Sequence, residues 1–563
     1  GAGKTETMKL VLQYIAEVSG RKSSGSADDG PSLEEQILKA NPVMEAYGNA
    51  KTTRNNNSSR FGKWTEIKFD KGGSIIGGSI VNYLLEKSRV VKQSEHERNY
   101  HIFYNLLAGG EKDPELKKNL HLLDAELFHY MNQSGTTKVE TINDETDWDD
   151  VCNAMKVLGM SEEDKEAVFR LTAAVLHNGN VKYADDGNEG NTIVNESNTE
   201  IVAKLLKVDV ALLSKALSFR GVGKRSKVYV PYKLDQAIDA RDALSKSIYG
   251  KLFNWLIQRI NVTLAKGIGG GESTSVSTII GVLDIFGFES FGFNSFEQLC
   301  INYCNEKLQF HFNEHIFRLE QEQYAKEGVD VAQISFVDNQ PCLDLLEKKA
   351  VGLFAMIDEE INTPKGSDEG YLSKVIKKYG ERKKEHQNFA LPRPKEENSR
   401  ISYIVKHYAG PVKYTVTNFL EKNKDALHED LVSCMKSSDD PFLVNLFTEK
   451  EEASSSASSG GRPGRAKKKK VATLGAKFKS QLNSLMKTIN TTSPHFVRCM
   501  KPNAEKRGNI FTADMMMDQL RYAGLLEVCR IRAIGYPIRK DFDDFYKRYL
   551  CLCKSAKDVD ALL

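Results

Sequence analysis

The sequence runs to 563 residues, 40% hydrophobic and 28% charged, a balance that excludes a disordered or membrane-embedded chain and calls for several packed subdomains. A net charge of +3 leaves no global field to draw the chain to nucleic acid, so any polyanion has to be met by a local cluster. Nine scattered cysteines without CxxC spacing point away from a disulfide framework or thiolate zinc site and towards reduced thiols. The opening GAGKTETMKL lacks the features of a secretory signal, which favours the cytoplasm.

In chain order, Gly1, Ala2, Gly3, Lys4 and Thr5 form the second half of the pattern G-x-x-x-x-G-K-[ST]. Met8, Val11, Leu12, Ile15 and Val18 follow at helical spacing, with Gly20 placed to end the helix. In that pattern backbone N–H groups close on phosphate oxygens, Lys4 reaches the β- and γ-phosphates and Thr5 reaches magnesium. The first glycine of the pattern is absent, so a chance GKT with no phosphate beside it is the alternative. NNNSSRFG (55–62) then gathers amides, hydroxyls and one guanidinium just before a strand-like run at 64–69. That chemistry suits a γ-phosphate, magnesium and an attacking water; alone, it is equally an Asn/Ser-rich turn.

The apolar run in IIGVLDIFGFE (279–289) predicts a strand buried on both faces, with Asp284 at or near its C-terminal end, where doubly wound sheets bind ligands and hold magnesium. Ser295 to Gln298 make a capping-box pattern, and an amphipathic helix is expected to about Tyr324, with Gly328 beyond. Roughly 30 residues span about 45 Å. Within this helix His311, Glu314 and His315 make an H-x-x-E-H pattern that puts both histidines on one face. No third zinc ligand is evident, and packing histidines are the alternative to a metalloprotease centre. Residues 451–470 pass from Glu451 and Glu452 through a Ser/Gly stretch to Arg462, Arg465 and Lys467, Lys468, Lys469 and Lys470. A segment so poor in apolar residues reads as a mobile surface loop, and a domain linker, a nuclear-localisation patch and a binding loop all fit it.

GAGKTE, NNNSSRFGK and DIFGFE, in this order, resemble the P-loop, switch I and switch II of myosin motor domains. The resemblance continues through NPVMEAYGNAKTTRN (41–55), NYLLEKSRVV (82–91), HYAGPVKY (407–414), FLEKNKDAL (419–427) and FVRCMKPN (496–503), covering essentially the whole chain. NYLLEKSRVV, LFNWLIQRIN and RAIGYPIR resemble unconventional myosins more than filament-forming ones. The resemblance implies an α/β fold: a P-loop NTPase core with a mostly parallel twisted sheet, surrounded by large helical actin-binding subdomains.

By position it implies the P-loop, following helix and first variable loop at 1–32, and the upper actin-binding subdomain with switch I and part of the sheet at 33–283. Switch II, the relay helix and the lower actin-binding subdomain fall at 284–450, and the basic mobile loop at 451–471. The return segment, a sheet strand and the coupling helices fall at 472–534, and the start of the converter at 535–563. The family's N-terminal subdomain and first P-loop glycine would precede residue 1.

The function implied is an actin-based motor that hydrolyses ATP with Mg2+; an actin-binding scaffold with a dead nucleotide site is the alternative. Carried over by position, Lys4 holds phosphate, Thr5 and Ser59 are magnesium ligands, Asp284 binds the metal through water, and Asn55 touches the phosphates. Ser58 and the Gly287 N–H lie about the γ-phosphate and lytic water, and Arg60 and Glu289 form the ion pair that closes the site. Residues 515–534 match the two coupling helices, with Gly524 and Gly535 at hinges; Tyr522 and Arg532 stand where many myosins carry reactive thiols, and Val331 replaces a relay-loop tryptophan. Filamentous actin is the partner implied, through Lys467, Lys468, Lys469 and Lys470 and through the loop 220–231, where Ser226 matches a position at which negative charge is regulatory. A light chain or calmodulin would bind the family's neck, and membrane or cargo its tail, both beyond this sequence.

Overall fold

The computed structural model describes residues 3–20, 32–187, 190–223, 227–265, 276–327, 338–381, 386–424, 427–448, 473–505, 507–534, 538 and 540–552. Gly1, Ala2, Ser226, Gly328, Val331, Gly535 and Lys467, Lys468, Lys469 and Lys470 lie outside them. The chain divides into two compact units, Gly1–Phe286 with Leu420–Lys501, and Gly287–Phe419 with Pro502–Leu563. The first division falls inside DIFGFE.

In the first unit α1 (Lys4–Gly20) forms as the spacing predicts and buries Met8 and Leu12 against α2 (Leu33–Gly48), while Val11 and Val18 of the same pattern are exposed. Ser32 caps α2 by accepting the Glu35 N–H at 3.1 Å. The short strands β1 (Asn49–Ala50) and β2 (Ser58–Ser59) pair antiparallel, so the polar loop between them is pinned at both ends. β3 (Gly62–Phe69) follows and pairs antiparallel with β4 (Ile75–Tyr83). The 31-residue α3 (Leu234–Leu264) runs through the core. Its Tyr249 ring stacks on Tyr100 at 5.0 Å, and its Phe253 meets Phe61 edge-on at 5.0 Å, fixing the chain just after β2 against the helix.

β5 (Thr278–Asp284) completes a three-stranded sheet in the order β4-β3-β5. Asp284 ends the strand, as expected. The expected burial on both faces is not found: Ile279 is 50% and Ile280 40% exposed, because β5 is an edge strand among those described. No described strand pair is parallel. Residues 493–500 are irregular.

The second unit is built round α4 (Phe296–Lys326), 31 residues long, opened by Gln298 accepting the Ser295 N–H at 3.0 Å. Against it lie α5 (Gln340–Glu347) and the antiparallel hairpin β6 (Ser402–His407) and β7 (Gly410–Thr415). Tyr371, Tyr403, Phe296 and Phe419 make an aromatic core in which Phe296 and Phe419 lie 5.7 Å apart. The helices α6 (Ala513–Tyr522) and α7 (Leu525–Ile534) meet at Gly524. Tyr522 lies against Phe288, ring centroids 5.6 Å apart, and its carbonyl accepts from the Tyr408 hydroxyl at 2.8 Å. All eight described cysteines are free. No helix among the described residues is long and apolar enough to cross a membrane.

Candidate nucleotide site

Gly3 precedes α1 with φ +90°, a left-handed conformation that a side chain would strain, and nothing lies within 4 Å of the space a Cβ would fill. The first turn of a helix leaves N–H donors that suit phosphate. Across 279 positions, Thr5 Oγ1 donates to Asp284 Oδ2 at 2.8 Å, and Lys4 Nζ donates to the Ile285 carbonyl at 3.1 Å. The start of α1 and the end of β5 therefore meet. A hydroxyl and a carboxylate converging here form a hard oxygen donor set that fits magnesium, and the Lys4 ammonium beside that first turn fits phosphate.

Lys63, which sequence reasoning missed, belongs to this corner. It is the register partner of Asp284, so both side chains share one face of the sheet, and its Nζ lies 4.0 Å from Asp284 Oδ2. Asn41 Oδ1 accepts from the same ammonium at 3.1 Å. Burial pushes the Lys63 ammonium below its ordinary value, while the Asp284 carboxylate pulls it back up. The signal was present: with alternate residues on one face, Lys63 falls in line with Ile67 and Phe69, both buried.

The NNNSSRFG segment is held largely by bonds of its own, as short polar side chains favour. Asn55 Nδ2 donates to the Asn57 carbonyl at 2.6 Å, and Ser59 Oγ to the Phe61 carbonyl at 2.7 Å. Arg60 Nη1 reaches Ser58 Oγ at 3.4 Å, and its Nε donates to Glu86 Oε2 at 2.8 Å. Glu86 is also bound by Arg89 at 2.7 Å. Burial alone would push the Glu86 carboxyl up; the two guanidiniums outweigh it and hold the group at about 2.

In the second unit Gly287 is exposed. Glu289 is clasped through its backbone: its N–H donates to Asn302 Oδ1 at 2.8 Å, and Asn302 Nδ2 returns a bond to its carbonyl at 2.7 Å. The Glu289 carboxylate accepts from Gln298 at 3.3 Å. Asn302 also donates to the Tyr414 hydroxyl at 2.8 Å, which lies 2.8 Å from His407 Nε2, whose Nδ1 lies 2.9 Å from Glu306 Oε1. This buried chain continues to Cys342, whose thiol donates to Glu306 at 3.4 Å and is pushed well up by burial and by that carboxylate.

Among the described residues Glu306, Cys342 and His407 form the sole cluster with metal-ligand spacing, and hydrogen bonds join all three. His311 and His315 do share a helix face, their rings stacked at 6.4 Å, but they are not part of that cluster, so the zinc-protease reading finds no third ligand among the described residues.

The start of α1 and the end of β5 are thus joined by the Thr5–Asp284 and Lys4–Ile285 bonds. The Myosin head (motor domain) family matches residues 1–561, and the chain belongs to that family, which implies a P-loop NTPase-like fold and nucleotide binding. It is 45% identical to Myosin-I heavy chain of Dictyostelium discoideum, over 100% of this chain and 23% of the relative. It is 43% identical to Myosin-11 of Arabidopsis thaliana, over 98% and 34%, and 43% identical to Unconventional myosin-Va of Rattus norvegicus, over 99% and 30%. The chain thus spans 23–34% of these relatives' length.

Proposed function

We propose that this chain is the core of an actin-activated, magnesium-dependent ATPase motor of the actin cytoskeleton. The observation that carries the proposal is the meeting of Thr5 and Asp284 beside Lys4, three residues assigned to the phosphate and metal machinery and joined from opposite ends of the segment Gly1–Phe286. Thr5 and Asp284, with Ser59, would hold Mg2+; Lys4, Asn55 and the turn Gly1, Ala2 and Gly3 would hold the phosphates. Bound Mg2+ supplies charge neutralisation at the β- and γ-phosphate oxygens.

The protein's own part is to position. Gly3 opens the turn to the phosphates, Lys4 neutralises them, and Ser58 with the Gly287 N–H orients the attacking water. Arg60 and Glu289 close the site as an ion pair. No side chain here need act as a strong base, because phosphoryl transfer depends mainly on placement and charge. The described sheet is assigned to a P-loop NTPase core, with actin met through Lys467, Lys468, Lys469 and Lys470 and through the loop that carries Ser226.

The test is phosphate release from the full-length parent with and without filamentous actin. Actin should raise the rate of the magnesium-dependent reaction; a slow rate indifferent to saturating actin would leave an actin-binding scaffold as the better description. A Ser226→Glu variant should show more actin-activated hydrolysis than Ser226→Ala.

A further inference from the structure

Asp284 is 6% exposed, and its Oδ2 already takes the Thr5 hydroxyl at 2.8 Å. A carboxylate buried to that degree needs a compensating cation, because desolvation penalises its charge. During a turnover cycle magnesium can supply that cation only while nucleotide is present. Lys63 offers one from within the fold. Its side chain is 3% exposed, it faces Asp284 in strand register, and its ammonium stands 4.0 Å from the same Oδ2. Asn41 seats the ammonium from the other side at 3.1 Å. Glu45, a further acid acting on Lys63, is itself paired with Lys9 at 2.8 Å.

We propose that Lys63 is a positioning residue of the metal–nucleotide corner: its ammonium, seated between Asn41 and Asp284, holds Asp284 ready between nucleotides and opposes magnesium there. Two cations drawn to one carboxylate repel each other in a site screened from water. The lysine therefore weakens the metal's hold, so that metal exchanges with product instead of remaining locked in the site. It touches neither substrate nor reacting atoms and acts through Asp284. The inference rests on the nucleotide-site reading above.

The experiment is a titration of the full-length parent with Mn2+ at saturating ADP, with free Mn2+ counted by its paramagnetic resonance signal. Lys63→Met should tighten the metal dissociation constant at least threefold, and Lys63→Arg, which keeps the charge, should stay within twofold of the parent. Asn41→Asp leaves the lysine in place but lowers the local charge by one, and should also tighten the metal. Unchanged or weaker binding in Lys63→Met overturns the proposal. Should that variant fail to fold, Asn41→Asp decides in the same way. If the parent itself takes up no Mn2+ with ADP, the nucleotide-site reading fails, a result separate from any difference between parent and variants.

Discussion

Arg60, proposed as one half of the gate, also holds the fold through Glu86. Its bond to Glu86 lies within the first unit, with side chains 4% and 13% exposed, and Arg89 shares the same carboxylate. Glu86→Gln should destabilise the protein by about 3–5 kcal/mol, because two buried guanidiniums lose a shared carboxylate, Arg89 keeping its second partner Glu97. The pH dependence follows from the depressed carboxyl. The group's contribution is complete above its ordinary value near 4.5 and is lost as pH falls through about 2. The gap between parent and Glu86→Gln in urea unfolding should therefore be widest at neutral pH and narrow below about 4.5; a gap that widened in acid would refute the pairing.

The gate assigned to Arg60 and Glu289 predicts that Glu289→Arg abolishes hydrolysis while ATP binding survives. Arg60→Glu should do the same with a loss of stability, since it sets a carboxylate against Glu86. The double variant should recover part of the hydrolysis, and no gain over either single change would remove the proposed pairing. Neither Glu86 nor Lys63 was legible as a partner in the sequence. Glu86 lies 26 positions from Arg60 with no local pattern joining them, and Lys63 pairs with Asp284 only because β3 and β5, more than 200 residues apart, adopt this register.

At the scale of elements, periodicity and capping residues were enough. The spacing of Met8 and Leu12 places α1, and Ser295 with Gln298 starts α4, because both signals are local and survive any tertiary arrangement. The failure at β5 has the opposite cause. Apolar composition states what a strand can bury, whereas its burial depends on which neighbours lie across it. Gly524 shows a local signal with a structural consequence. Its φ is +70°, and a Cβ there would come 2.2 Å from the Gln309 side chain on α4. Gly524→Ala therefore meets both a backbone penalty and a clash, and should cost about 1–3 kcal/mol. Because the clash lies between α4 and the α6–α7 junction, filament gliding should fall more than ATP hydrolysis. Equal loss of both would reduce Gly524 to a folding requirement.

For the whole molecule, the net charge of +3 on 563 residues means that attraction to an acidic filament cannot come from the average charge and has to be local. Lys467, Lys468, Lys469 and Lys470 are the densest run of like charge in the sequence, preceded within a few residues by Arg462 and Arg465. Their contribution is argued from sequence alone, since they lie outside the described residues. Charge of this kind acts at long range: it speeds encounter, and salt screens it with a Debye length of about 8 Å at physiological ionic strength. Actin affinity should therefore fall steeply between low and physiological salt. Replacing the four lysines with alanine should slow association by about tenfold or more at low salt, leave dissociation nearly unchanged and flatten the salt dependence. Rapid mixing with filaments at several ionic strengths reads all three. Were the variant to associate as fast as the parent at low salt, the lysines would be a linker, and the proposed contact with actin would have to be sought elsewhere on the chain.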